Sequence, residues 1–181
     1  MLTVYIALGS NMDAEKNLMS VAKLLRSLWP HIRFSSVYRT APRDFEDQAE
    51  FLNAVARIET EMTAEEIHNE IQKIEKLLGK NITIPKGPRT IDLDLLLIDD
   101  HIVPDWDTWQ EAHRFIDKSK DWNDQSMLYV PHSRMHERRF VLEPLCALMD
   151  PESKHPLLQK TWNALLEETK VQRCELMQLI L

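Results

Sequence analysis

The sequence predicts an α+β fold, a mostly antiparallel sheet with helices packed on it, and three stretches carry that expectation. Residues 87–99 read GPRTIDLDLLLID, a glycine-proline turn feeding an alternating strand. Thr63 with Glu66 three residues on is a capping box, and Ile67, Ile71, Ile74 and Leu78 repeat at helical spacing until Gly79 stops the helix. Residues 2–8 read as a strand that ends in Gly9-Ser10-Asn11 and hands over to a helix.

In chain order, that first helix covers residues 13–29, with Leu18, Val21, Leu25, Leu28 and Trp29 on one face. Residues 32–38 read as a second strand, 39–50 as a polar loop containing Pro42, and 51–60 as a third strand. The capped helix, a loop at 80–86 and the aspartate strand complete a βαββαβ order, the ferredoxin-like arrangement. Residues 99–130 are the least regular part, holding Trp106, Trp109 and Trp122 and a short helix near 109–118. Solvated linkers seldom carry so much aromatic surface, so this stretch reads as an ordered flap or an oligomer contact. Extra C-terminal helices follow, one from near Glu143 with Pro144 in its first turn and one over 161–168. The tail at 171–181 reads as an edge strand.

With 181 residues and 44% hydrophobic side chains, the chain reads as a single domain over 1–181 with a sizeable core. Its net charge is −7, and residues 99–130 alone hold eight acids against three Lys or Arg. No basic stripe of the kind that nucleic acid requires is visible, apart from a local cluster at Arg134, Arg138 and Arg139 with His132 and His136. Two cysteines, no secretory segment and no long apolar run point to a reduced, cytoplasmic, membrane-free protein. Average usage would supply roughly 13 glycines. Only three occur, Gly9, Gly79 and Gly87, all beside the ends of elements.

The chemistry begins at the aspartate strand. Side chains alternate faces, so Ile91, Leu93, Leu95 and Leu97 share one face, while Asp92 and Asp94 share the other with Leu96 and Ile98. The two carboxylates are then roughly 6.5 to 7 Å apart at the backbone and converge on one point. Such a pair suits Mg²⁺, a hard ion held by one or two carboxylates plus substrate phosphates, and Arg89 adds phosphate charge nearby. The plainer reading is a strand meeting solvent.

GPRTIDLDLLLID resembles the central motif of the 6-hydroxymethyl-7,8-dihydropterin pyrophosphokinases, folate-pathway enzymes that move a pyrophosphate from ATP to a pterin alcohol. YIALGSN at 5–11, SSVYRTAP at 35–42, DQAEFLNAV at 47–55 and VPHSRMHERRFVLEPL at 130–145 resemble the same family in order. The resemblance implies the ferredoxin-like core, ATP as co-substrate and Mg²⁺, with two ions alongside ATP. It implies catalytic roles for Arg89, Asp92, Asp94 and Lys80, with Asp92 and Asp94 as metal ligands. On the ATP side it implies Gln72, Glu75, Lys80, Lys86, Arg89, Ile98, Tyr129, His132, Ser133 and Arg138. A pterin is a flat heteroaromatic with a lactam-amine edge. Phe51 and Phe140 would stack it, Asn53 would read its edge, and Thr40, Ala41 and Arg43 would add contacts.

Some positions depart from the family. The 80–86 loop lacks the arginine and tryptophan common there, and lysine loses arginine's bidentate fork. The loop around Asp44 lacks a frequent glycine, and the link at 99–130 is longer than usual and reads as an insertion. No general base stands out, and a metal-lowered alcohol pKa would suffice. The expected partners are the two substrates, with a monomer, or a dimer through the insertion or tail. The competing classes are a non-catalytic nucleotide- or pterin-binding relative and a two-metal nuclease. Acidic charge disfavours the nuclease, and no GxxxxGK supports a P-loop kinase.

Overall fold

The computed structural model describes residues 1–42, 47–80, 87–116 and 127–181. Its elements are β1 (Leu2–Ser10), α1 (Ala14–Leu28), β2 (Arg33–Phe34), β3 (Tyr38–Thr40), β4 (Phe51–Thr60), α2 (Ala64–Leu77) and β5 (Asp92–Ile98). They continue as α3 (Trp106–Ile116), a 3₁₀ turn (Met135–Glu137), α4 (Arg139–Cys146), α5 (Trp162–Glu168) and β6 (Glu175–Leu176). The strands form one sheet in the order β5-β1-β4-β3-β6, with β2 also on β4, and every pair is antiparallel. That is the expected α+β, ferredoxin-like core, in which β1 and β3 flank β4. No described helix is long and apolar enough to cross a membrane.

Periodicity explains both helices over the first face. Leu18, Val21 and Leu25 of α1 and Ile67, Ile71 and Ile74 of α2 are buried against Val4, Ile6, Leu8, Ala54, Ala56, Ile58, Leu93 and Leu95. Each such aliphatic side chain contributes about 1.5–3 kcal/mol by leaving water. The capping box forms as expected: the Thr63 hydroxyl accepts from Glu66 N, and Thr63 N donates to the Glu66 carboxylate at 2.8 Å. Gly79 takes a φ of +76°, which favours glycine, and ends the helix. On the second face Tyr5, Val55, Leu96 and Leu97 pack under Met135, Val141, Leu142, Leu145, Trp162 and Leu165. The C-terminal helices thus make a third layer.

Several boundaries differ from the sequence expectation. The strand expected over 32–38 is broken, because three residues (Ser35, Ser36, Val37) stand opposite two (Ala54, Val55) between the Phe34–Ala56 and Tyr38–Asn53 pairs. Ser35 takes up the slack: its N–H donates to Val55 O at 2.9 Å, and its hydroxyl accepts from Val55 N at 3.0 Å. Arg39 and Thr40 belong to β3 instead of the loop. Leu28, expected inside, is 47% exposed on the last turn of α1. In β5 the pairing with β1 shifts at Tyr5/Ile6, leaving Leu96 as an extra residue. Beyond it the alternation changes phase, so Leu97 joins Leu96 on the second face and Ile98 returns to the first.

Helix α3 starts three residues earlier than expected, because Asp105 caps it: its carboxylate accepts from Thr108 N at 2.9 Å and from the Thr108 hydroxyl at 2.7 Å. Trp122 lies outside the described residues. Helix α4 starts at Arg139, not near Glu143, since the Arg138 carbonyl already accepts from Val141 and Leu142 N–H, both at 3.0 Å. Pro144 therefore sits inside that helix, on its buried side. The tail contributes only Glu175–Leu176 as an edge strand beside Tyr38 and Arg39. Leu179 and Leu181 pack on the first core, and Ile180 is exposed.

Candidate active site

The second sheet face is not covered to its end, and the gap is the cleft. One row of paired residues crosses four strands there: Asp92 opposite Gly9, Gly9 opposite Asn53, Asn53 opposite Tyr38. Asp94 lies in the row beyond, opposite Ala7. At about 4.8 Å per strand, the carboxylate and the amide flank the glycine at roughly 10 Å from one another. Gly9 leaves the floor between them open, and a Cβ there would stand 3.1 Å from Asn53 Oδ1. The start of α4 overhangs this row, bringing Arg138 and Phe140. Thr40, Ala41, Gln48, Phe51 and Arg89 complete the walls.

Polar contacts tie the acidic end together. Asp92 accepts from Lys80 Nζ at 2.7 Å and from the Arg89 guanidinium. Burial opposes ionisation of Asp92, but Arg89 and Lys80 together outweigh it and hold the carboxyl below its usual range. Lys80 also donates to Glu75 at 2.6 Å, and its ammonium is held charged despite burial by Asp92 and Glu75. Glu75, nearly buried, accepts from Leu93 N at 2.7 Å and so caps the open edge of β5. Burial pushes its carboxyl up, against the pull of Lys80.

Asn11, the polar residue that follows β1, ties the turn before the aspartate strand in place. Its Oδ1 accepts from Arg89 N at 2.8 Å, and its Nδ2 donates to Gln48 Oε1 at 3.0 Å and Ala49 O at 3.1 Å. It fastens the Gly-Pro-Arg turn to the entrance of β4; the signal was a polar residue closing a strand beside a glycine. On the aromatic side Asn53 donates to Thr40 Oγ1 at 2.8 Å. The Arg89 guanidinium lies 5.7 Å from the Phe51 ring centre, and Arg138 lies 5.7 Å from that of Phe140. Each aromatic wall therefore adjoins a cation.

Of the residues expected at the site, Arg89, Asp92, Asp94, Thr40, Ala41, Phe51, Asn53, Phe140 and Arg138 line this cleft. Lys80 reaches it through Asp92, and Glu75 through Lys80. His132 is partly buried beside the free edge of β5, where its N–H donates to Leu96 O at 2.8 Å. Burial pushes its imidazole down, against the pull of Asp94. Gln72 contacts the His68 ring at 2.8 Å on α2 and, like Tyr129 and Ser133, is not on the cleft wall. The Ile98 side chain, expected on the aspartate face, is 1% exposed and sealed in the first core, because the β5 bulge turns it away. Arg43 and Lys86 lie outside the described residues.

The two aspartates fit a hard divalent ion by their chemistry. Both line one cleft from one strand face, and each Asp92 oxygen that accepts a single bond keeps another lone pair.

The model of the family described as 7,8-dihydro-6-hydroxymethylpterin-pyrophosphokinase (HPPK) matches residues 5–150. The chain is 35% identical over 160 residues to the Bacillus subtilis 2-amino-4-hydroxy-6-hydroxymethyldihydropteridine pyrophosphokinase, covering 87% of this chain and 84% of that protein. It is 38% identical over 148 residues to a mitochondrial folate synthesis bifunctional protein of Pisum sativum, covering 81% of this chain but only 25% of that one. Among solved structures, an HPPK-DHPS chain in complex with substrates superposes with a TM-score of 0.69 at 12% identity, over 93% of this chain and 45% of its own. This chain thus spans under half of that fused one, and the likeness is one of fold. With nearly the whole βαββαβ core and its aspartate strand inside the matched region, the chain belongs to the 7,8-dihydro-6-hydroxymethylpterin-pyrophosphokinase family.

Proposed function

We propose that this chain transfers the pyrophosphoryl group of ATP to the hydroxyl of 6-hydroxymethyl-7,8-dihydropterin, giving AMP and the pterin diphosphate for folate synthesis. The observation that supports the reading is the shared row of Asp92, Gly9 and Asn53, with a carboxylate beside Lys80 and Arg89 at one end of the cleft and an amide beside Thr40 at the other. In the reaction the pterin oxygen bonds to the β-phosphorus as the bond from that phosphorus to the α-phosphate oxygen breaks, and AMP carries that oxygen away. Such transfers ask the protein for alignment and charge neutralisation more than for covalent chemistry.

Phe51 and Phe140 stack the pterin, and Asn53, locked by Thr40, reads its amide-like edge. Arg89 and Arg138, each beside one of these rings, meet the phosphates, with His132 near Asp94. Mg²⁺, held by Asp92 and Asp94, would neutralise polyphosphate charge and lower the pKa of the attacking alcohol. Lys80 keeps Asp92 ionised and aimed. The 1–181 chain acts as one domain and a monomer in this reading.

The test is AMP and pterin-diphosphate formation from ATP, Mg²⁺ and the pterin alcohol. Turnover that falls by at least about a hundredfold in Asp94→Asn is the expected result. ATP binding by the unmutated chain without any AMP would overturn the reading.

A further inference from the structure

Helix α3 lies off the cleft, yet it grips the segment that leads to the cleft's arginine. Its Trp109 is 1% exposed, and the indole Nε1 donates to the Pro131 carbonyl at 2.6 Å. One turn on, His113 stacks on Trp109 with ring centres 5.1 Å apart and 25° between planes, and meets the His136 ring edge-on at 4.9 Å. His155, fully buried, stands 6.2 Å from His136, 6.0 Å from Trp109 and 5.1 Å from Trp162. His113 Nδ1, His136 Nδ1 and His155 Nε2 are buried without a hydrogen-bond partner among the described residues. His155 Nδ1 accepts from Leu157 and Leu158 N–H, both at 3.2 Å, so the neutral ring carries its proton on Nε2. That tautomer leaves Nε2 no lone pair for a metal, and among the described residues no cluster suits one. The rings act instead as packing surface. Burial pushes His136 down to about 4 and His155 to about 3, which keeps both neutral near pH 7.

The two contacts of α3 fall on either side of His132. Pro131 precedes it directly. His136 lies in the 3₁₀ turn that ends at Arg138, where α4 begins. The far end of the segment has its own tie, since Gln172 donates to Glu137 O at 2.8 Å and accepts from Arg139 N at 3.0 Å. The near end has the His132 bond to Leu96 O and the Trp109 bond beside it. Phe140, by contrast, rides on a helix anchored by buried Val141, Leu142 and Leu145.

We infer that α3 is a buttress for the polyphosphate side of the cleft, with Trp109 the positioning residue that sets His132 through the Pro131 carbonyl. A misplacement of about 1 Å at such a group is enough to cost substantial rate or affinity. The inference rests on the proposed placement of ATP at His132 and Arg138.

The test measures kcat and KM for each substrate, with thermal unfolding alongside, in Trp109→Phe, His113→Gln and Trp106→Ala. Trp109→Phe keeps a buried ring and loses the N–H donor; Trp106, 50% exposed on the same helix, is the control. The expected result is a five- to twentyfold rise in KM for ATP in Trp109→Phe, a smaller rise in His113→Gln, pterin KM within twofold, and no change in Trp106→Ala. Equal rises in both KM values, or an unchanged KM for ATP, would overturn it. If Trp109→Phe does not fold, His113→Gln carries the same decision. If the unmutated chain makes no AMP, the proposed reaction has failed by itself. The buttress is then judged by calorimetric affinity for a non-hydrolysable ATP analogue: weaker binding in Trp109→Phe supports it, and equal binding overturns it.

Discussion

Lys80 sets its ammonium 2.7 Å from the carboxylate of Asp92, joining the loop after α2 to the first residue of the aspartate strand. The same ammonium holds Glu75 at 2.6 Å, and none of the three side chains is more than 22% exposed. Removing the cation as Lys80→Ala leaves the buried Glu75 carboxyl without its counter-ion. Folding stability should fall by about 2 kcal/mol, the low side for a broken buried pair because each group keeps some solvent. Lys80→Arg should recover part of the loss. Urea unfolding at pH 7 reads both. Asp92 is held below 3.8, so its stabilisation is present above that pH and is lost as pH falls through its folded value. Lys80 is held above 10.5, so its share is lost only as pH rises through that range.

Gly9 and Asn53 make a second test, at the ring-reading end. A Cβ at position 9 would stand 3.1 Å from Asn53 Oδ1, and Asn53 is already tied to Thr40. Gly9→Ala therefore has to displace the amide by a few tenths of an ångström. Pterin KM should rise severalfold in Gly9→Ala and by about tenfold or more in Asn53→Ala, where a buried reader is deleted. ATP KM should stay near that of the unmutated chain in both. Steady-state kinetics with each substrate varied separately checks the split.

The histidines under α3 predict an acid limb of stability. His136 and His155 titrate near 4 and 3 in the folded chain against about 6.5 when unfolded, so the unfolded state binds more protons between those values. Their contribution is fully present above pH 6.5 and is lost as pH falls toward 4. Facing them are His113, whose charge would repel both, and Glu137 and Lys160, which act on His136 with opposite signs. The urea midpoint should drop between pH 6.5 and 4.5, and the drop should shrink in His136→Gln. A flat profile in the unmutated chain would contradict this.

Much of the architecture was legible because it rests on local rules. A Thr-x-x-Glu start and an isoleucine stripe define α2 within one stretch of chain, and a period of two puts Asp92 and Asp94 on one face whatever they pair with. What failed was non-local. Leu97 and Ile98 exchange faces because the extra residue in β5 is set by its pairing with Tyr5 and Ile6, some ninety residues away in sequence. The face that the Ile98 side chain takes therefore could not be read from its own strand.

The site divides in the same way. From its own residues the sequence determined the donor types: two carboxylates at strand spacing, an arginine in the turn before them, and aromatic and amide partners on another strand. Only the tertiary structure decided that Gly9 stands between Asp92 and Asn53, that Glu75 turns its carboxylate to Lys80 and the β5 edge, and that Trp109 closes on Pro131. The reason is physical. Alternation and capping are short-range geometry, written in neighbouring residues, whereas a cross-strand neighbour, a buried ion pair or a helix docked through one indole depends on register and packing between segments far apart in the chain.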